Sequence, residues 1–351
     1  MVTQGRCGDP YGFLPGRFHF RGPRDYSADR LLNRGVLQLQ IGQLQLAEAT
    51  LEESVRRDFC PRQVYFHLAT AKHKQGRVEE AMADLERCLT RFVAEEAYLN
   101  LASMALDLRE VEAARKHVDL LLATIPHANL RWRAEYVSGV IAIREGDYNR
   151  AMAELEPLVE KYPESESFYI ALGDLYRARG MPMTARKYYH RALQLIGPKL
   201  FQAQDRFTSA TTPAEEYASL RNTIQILSKE LEVVKAALAQ LPPCYLDDIR
   251  DVSVEAIVRL IADVVLERSG ALTDNQLIEI ARQTVSEIIS SRAVNAITVA
   301  FWRPETIVDK KTPAASVDWA PDGEWDEADT VSPGDYSRHA YRVDANDTAT
   351  W

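Results

Sequence analysis

The chain of 351 residues is long enough for several domains or one extended repeat array, and its 46% apolar and 26% charged residues are ordinary for a folded protein. Its net charge of −9 argues against non-specific nucleic-acid binding, which needs cations to neutralise phosphates, and against docking on anionic lipid. Residues 305–351 hold eleven Asp/Glu against four Lys/Arg, so the tail carries most of the excess.

The N-terminal stretch 1–27, "MVTQGRCGDPYGFLPGRFHFRGPRDYS", is rich in Gly, Pro, Arg and aromatics and has neither helical nor strand periodicity, which predicts an irregular arm. It lacks a basic start followed by an apolar core, so a cytoplasmic protein is expected. The apolar run "AIVRLIADVVL" is interrupted by Arg259 and Asp263 and is too short to span a bilayer. Cys7, Cys60, Cys88 and Cys244 are far apart, unlike a zinc site or a disulfide framework, and are read as isolated reduced thiols.

Self-similarity dominates residues 28–196. Ala47, Ala81, Ala114, Ala151 and Ala185 recur at spacings of 34, 33, 37 and 34. Five residues before them stand Gly42, Gly76, Gly146 and Gly180, with Arg109 as the exception. A second small position recurs in phase at Gly35, Ala69, Ala102, Gly139 and Gly173. The pattern predicts five pairs of antiparallel helices whose backbones approach at the small residues, with glycine supplying the left-handed turn between the helices. Large residues such as Tyr65, Leu85, Tyr98, Val118, Leu155, Tyr169 and Tyr189 fill the spaces between.

These residues resemble the tetratricopeptide (TPR) repeat family. The resemblance covers about half of the chain; repeats two and five match most fully, while repeats three and four deviate in length or turn. It implies an all-α, right-handed solenoid of helical pairs that binds a peptide or protein segment in the groove lined by the first helices. Carried onto this chain, the family's groove positions are Phe66, His67, Thr70 and His73 in repeat two, and Asn100 and Ser103 in repeat three. Repeat four supplies Arg133, Tyr136, Val140 and Arg144, and repeat five Ile170, Asp174 and Arg177. The arginines fit an acidic segment or a C-terminal carboxylate. The carboxylate clamp of chaperone-binding members is incomplete: Asn100 and Arg133 occupy two of its places, but Phe66 and Thr70 replace its lysine and other asparagine.

Residues 197–212, with Gly197 and Pro198, read as a connector. In 213–241 the apolar residues Tyr217, Leu220, Ile224, Leu227, Leu231, Val234, Leu238 and Leu241 alternate three and four apart. That is a coiled-coil period, predicting a long helix that either caps the last repeat or associates with a second copy of itself. Pro242-Pro243 ends it. Two amphipathic helices are then expected over 253–269 and 273–291, with Ser253 and Thr273 as N-caps and a capping box between Thr273 and Gln276. "NAITVAF" alternates as a short strand, giving a small helix–helix–strand unit over 253–302 that needs a partner edge from the tail or another subunit. The acidic tail 303–351, with Trp319 and Trp325, is expected to be disordered or to dock on the repeats.

The sequence contains no phosphate-binding glycine loop, nucleophile elbow or H-E-x-x-H. His67 and His73 are six apart on one helix, off the spacing of a metal pair. No catalytic residue, cofactor or metal is therefore assigned. The expected function is a non-enzymatic adaptor or scaffold, with a structural subunit of a larger assembly as the alternative.

Overall fold

The computed structural model describes residues 26–345 apart from 58–59, 125–127, 210–211, 214–215, 255–256, 268–271, 305–306 and 308–312. The expectations for the N-terminal arm therefore lie almost wholly outside the described residues. The chain divides into two compact units: residues up to Phe168 together with Pro198–Lys229, and Tyr169–Gly197 together with Glu230 onward.

The first unit is helical. Its pairs are α1 (Tyr26–Gln40) with α2 (Leu44–Val55), α3 (Gln63–Lys74) with α4 (Val78–Arg91), α5 (Glu95–Asp107) with α6 (Val111–Ala123), and α7 (Ala128–Glu145) with α8 (Tyr148–Lys161). Each helix packs on the next along the chain. The small positions explain how. A Cβ added at Gly35 would lie 2.6 Å from Leu51 Cγ, and one at Gly139 2.7 Å from Leu155 Cγ. Leu51, Leu85, Val118 and Leu155 are fully buried, and so are Ala47, Ala81, Ala114 and Ala151.

The turns are equally regular. Gly42, Gly76 and Gly146 have φ of 82°, 80° and 79°, and Arg109 takes the same left-handed region at 63°. In each turn the next residue's N–H reaches back to the first helix, as in Gln43 to Gln38 C=O (2.9 Å), Arg77 to Lys72 (3.0 Å), Glu110 to Ala105 (2.8 Å) and Asp147 to Ala142 (2.9 Å).

The fifth repeat belongs to the second unit from Tyr169 on. α9 (Glu166–Ala178) and α10 (Pro182–Thr208) repeat the same contacts. A Cβ at Gly173 would fall 2.6 Å from the Tyr189 ring, and Gly180 has φ 74°. α10 does not stop at the expected connector but continues through Pro198 to Thr208. Pro157 likewise lies inside α8. The long helix is α11 (Tyr217–Ala239), and Leu220, Leu227 and Val234 of its apolar stripe are buried within the single chain. Tyr217, Ile224, Leu231, Leu238 and Leu241 of the same stripe are half-buried.

The C-terminal part corrects the expectation of a purely all-α chain. It is a five-stranded mixed sheet in the order β1-β2-β3-β4-β5. The strands are β1 (Cys244–Asp251), β2 (Arg259–Leu266), β3 (Ala296–Trp302), β4 (Ala315–Pro321) and β5 (His339–Ala345), with α12 (Asp274–Ile289) between β2 and β3. β2 and β3 run parallel, and the other neighbours are antiparallel.

The segment 253–269, expected as a helix, is thus mainly β2. A strand flanked by two others and covered on its faces is nearly continuously apolar, and a short run of that kind has no decisive period. The described part of the tail also forms secondary structure: it supplies β4, a 3-10 turn over Trp325–Thr330, and β5. Thus β3 finds its partner edge in the tail, where Val299 stands opposite Val317 and Ile297 opposite Trp319. The expected helix over 273–291 is α12, and its capping box forms: the Thr273 side chain accepts from Gln276 N–H while Gln276 accepts from Thr273 N–H.

Leu277, Ala281, Val285 and Ile288 of α12 cover one face of the sheet, against Leu260, Val264, Ile297, Val299, Phe301 and Val317. Three charged contacts complete the unit. Asp263, fully buried in β2, accepts from Arg250 (2.9 and 3.1 Å) and from Trp302 Nε1 (2.8 Å). Glu287 of α12 accepts the N–H groups of Met183 (2.6 Å) and Thr184 (3.2 Å), capping the start of α10. Burial pushes the Glu287 carboxyl up, against the pull of those donors. Arg186 pairs with Glu267 through Nε (2.7 Å) and donates to Leu238 C=O (2.8 Å) at the end of α11.

Candidate protein-binding face of the repeats

The first helices α3, α5 and α7 present their predicted groove residues in successive repeats of the first unit. On α3, Phe66 and His67 are half-buried. Thr70 is buried and turns its hydroxyl back to Phe66 C=O (2.7 Å), so its polar group is consumed within the helix. His73 Nε2 meets Asp107 Oδ2 at 2.9 Å and thereby ties α3 to α5. Burial lowers the pKa of His67, which favours the neutral imidazole at that position.

On α5, Asn100 and Ser103 are half-buried, and Ser103 donates to Leu99 C=O (3.0 Å). On α7 the predicted residues separate. Val140 is half-buried and Arg144 exposed, whereas Arg133 and Tyr136 are each only 5% exposed. Tyr136 packs on Phe168 at 5.3 Å between ring centroids, within a cluster that includes Trp132 (5.8 Å from Phe168) and Tyr162 (5.6 Å from Trp132). Arg133 and Tyr136 are therefore interior groups and do not form exposed anchors.

In the second unit, Ile170 is half-buried and Asp174 is occupied. Asp174 Oδ1 accepts from the Tyr189 hydroxyl (2.6 Å) and from Arg177 (3.0 Å). Burial first, and then the Asp174 carboxylate, push the Tyr189 hydroxyl pKa far up, so it stays a donor. Arg177 reaches the surface already paired with its neighbour one turn away.

Two features escaped the motif-based reading. Asp107 is the partner of His73 and lies 34 residues further on, one position past the register equivalent of His73 in the next repeat, so the repeat pattern alone did not single it out. The Trp132 cluster had no signal either, because its members fall at unrelated repeat positions. Chemically, the first-unit face offers an aromatic side chain, amide and hydroxyl groups and an exposed arginine, a set suited to backbone and side-chain contacts with an extended chain. Among the described residues, no three His, Cys, Asp or Glu side chains are placed to hold a metal ion, and no helix is long and apolar enough to cross a membrane.

The tetratricopeptide-repeat family matches residues 32–92, 68–129 and 136–198. No curated protein sequence is significantly similar to the chain. Among solved structures, a tetratricopeptide repeat protein from Parabacteroides merdae is 18% identical, covers 60% of this chain and 80% of its own, and superposes with a TM-score of 0.42. PilW, a type IV pilus biogenesis factor, is 14% identical over 62% of this chain and 96% of its own, with a TM-score of 0.45. YrrB, a protein of the same repeat type with an unusual peptide-binding site, is 16% identical over 49% and 87%, with a TM-score of 0.39.

Proposed function

The segment spanning residues 32–198 belongs to the tetratricopeptide-repeat family, and from that premise we propose that the protein is a non-enzymatic, cytoplasmic adaptor that holds a protein or peptide segment on the first-helix face of its repeats. The observation that carries the reading is the succession of half-exposed groups, Phe66 and His67, then Asn100 and Ser103, then Val140 and exposed Arg144, on consecutive first helices of one compact unit. Such a row lets a partner be read at several points along its length, so each contact can be weak while the sum is selective. Arg144 supplies the cation for an acidic side chain or terminal carboxylate.

The test compares wild type with Phe66→Ala, Asn100→Ala and Arg144→Glu combined, each change on a side chain that reaches solvent. Affinity capture from the native host, followed by titration of the captured partner, should show binding reduced at least tenfold in a variant that remains folded by circular dichroism. Equal capture by both proteins would reject the repeat face as the binding surface.

A further inference from the structure

The two edges of the C-terminal sheet are built differently. β1 is broken by a bulge between Leu246 and Asp248 and carries Asp247, Asp248 and Asp251. The Lys187 amine also occupies the Asp247 carbonyl. Bulges and charges of this kind discourage the addition of another strand. β5 has no bulge: its register with β4 is unbroken from Ala315 opposite Ala345 to Pro321 opposite His339. Among the described residues, no strand pairs with its other side.

The backbone of β5 is set for such a pairing. At the start of the ladder, Asp322 N–H donates to Arg338 C=O (2.8 Å). In an antiparallel ladder the direction alternates, so even-numbered residues aim their peptide groups at β4 while Tyr341 and Val343 aim theirs outward. The side chains alternate as well. Tyr341 and Val343 are half-buried and pack with the core beneath α12, with the Arg282 guanidinium 5.6 Å from the Tyr341 ring centroid. Arg342 and Asp344 are exposed on the opposite face, Arg342 within 2.5 Å of Glu324.

We propose that β5 pairs antiparallel with β5 of a second copy of this chain, about a two-fold axis at Val343. Three constraints select this arrangement. The axis must bring outward-facing peptide groups opposite each other, which one at Val343 does by opposing Val343 to itself and Tyr341 to Ala345. It must keep Tyr341 and Val343 on the α12 side in both copies, since a one-residue slip would reverse the faces. It must also match charge: this register sets Arg342 opposite Asp344 of the second copy, and by symmetry does so twice. An axis at Arg342 would instead oppose two arginines. The strand is thus complementary to itself in hydrogen bonding, in apolar face and in charge.

The experiment is light scattering coupled to size exclusion on the full-length protein. Wild type should elute in a reversible, concentration-dependent equilibrium reaching twice the single-chain mass. Val343→Pro removes the central outward N–H, which no described strand takes up, and should give the single mass. Asp344→Arg alone and Arg342→Asp alone each place like charges in opposition and should also give the single mass. Mixing these two variants restores Arg-to-Asp pairing at both positions and should restore the double mass. A wild type of single mass at all concentrations would overturn the proposal. So would dimers that persist in Val343→Pro and Asp344→Arg, or a mixture that stays single.

Discussion

In the repeats of the first unit, contacts join residues close in sequence: Gly139 receives Leu155, and Asp147 N–H returns to Ala142. In the sheet unit the decisive contacts are distant, with Trp302 donating to Asp263 across 39 residues and Met183 to Glu287 across 104. The repeats reuse one small-against-large contact and one left-handed turn, so each pair depends mainly on its neighbours. The sheet has no repeated unit; each buried charge is single and has its own partners. The first kind of structure should fail locally and by small steps, the second as a whole.

The largest effect is therefore expected at Asp263. Asp263→Ala leaves the Trp302 indole N–H and the Arg250 guanidinium without their acceptor, and should cost about 3 kcal/mol. Chemical denaturation checks the size, and hydrogen exchange should show protection lost across β1, β2 and β3 together. Gly139→Ala comes next. Its new Cβ would lie 2.7 Å from Leu155 Cγ, overpacking that should cost about 2 kcal/mol. Here hydrogen exchange should show protection lost chiefly in α7, α8 and their neighbours; an equal loss over every repeat would contradict a nearest-neighbour structure.

A pH experiment separates the two kinds further. Burial alone would raise the Glu267 carboxyl, but hydrogen bonds from Arg186 and His190, with the charges of both, outweigh it and hold the group at about 2. A carboxyl lowered in this way contributes stability above its ordinary value and loses it as pH falls toward about 2. Glu287 acts in the opposite direction, since its raised carboxyl is relieved by protonation. Glu267→Gln should therefore flatten the fall in melting temperature between about pH 4.5 and 2, while lowering stability at neutral pH. An unchanged acid slope would show that this carboxylate is not a linked group.

The smallest effect is a gain. Arg109 occupies, at φ 63°, the turn position that glycine fills in the other four repeats. Arg109→Gly relieves the left-handed strain and loosens the unfolded chain, so a net stabilisation below about 1 kcal/mol is expected. Thermal denaturation reads it directly, and a loss of stability would mean that the arginine side chain offsets its backbone cost.

Legibility in the sequence follows the same division. The five turns, the buried alanines and the α12 capping box were readable because their causes lie within a few residues. The strand character of 296–301 was also visible in its alternation. β2 was misread because burial on both faces removes the alternation that marks a strand, and β4 and β5 were missed because acidic surface residues interrupt their apolar faces. At the candidate site the repeat register located the first-helix positions. It did not show that Arg133 and Tyr136 turn inward, because the Phe168 ring that receives Tyr136 comes from α9, in the next repeat.

The sequence by itself determined the repeat: a small residue must stand where two helices touch, and a left-handed turn must join them. Only the tertiary structure decided the fate of the C-terminal third. Whether an apolar run becomes a strand or a helix depends on which surfaces close over it, and here those surfaces are supplied by strands up to a hundred residues apart in the chain.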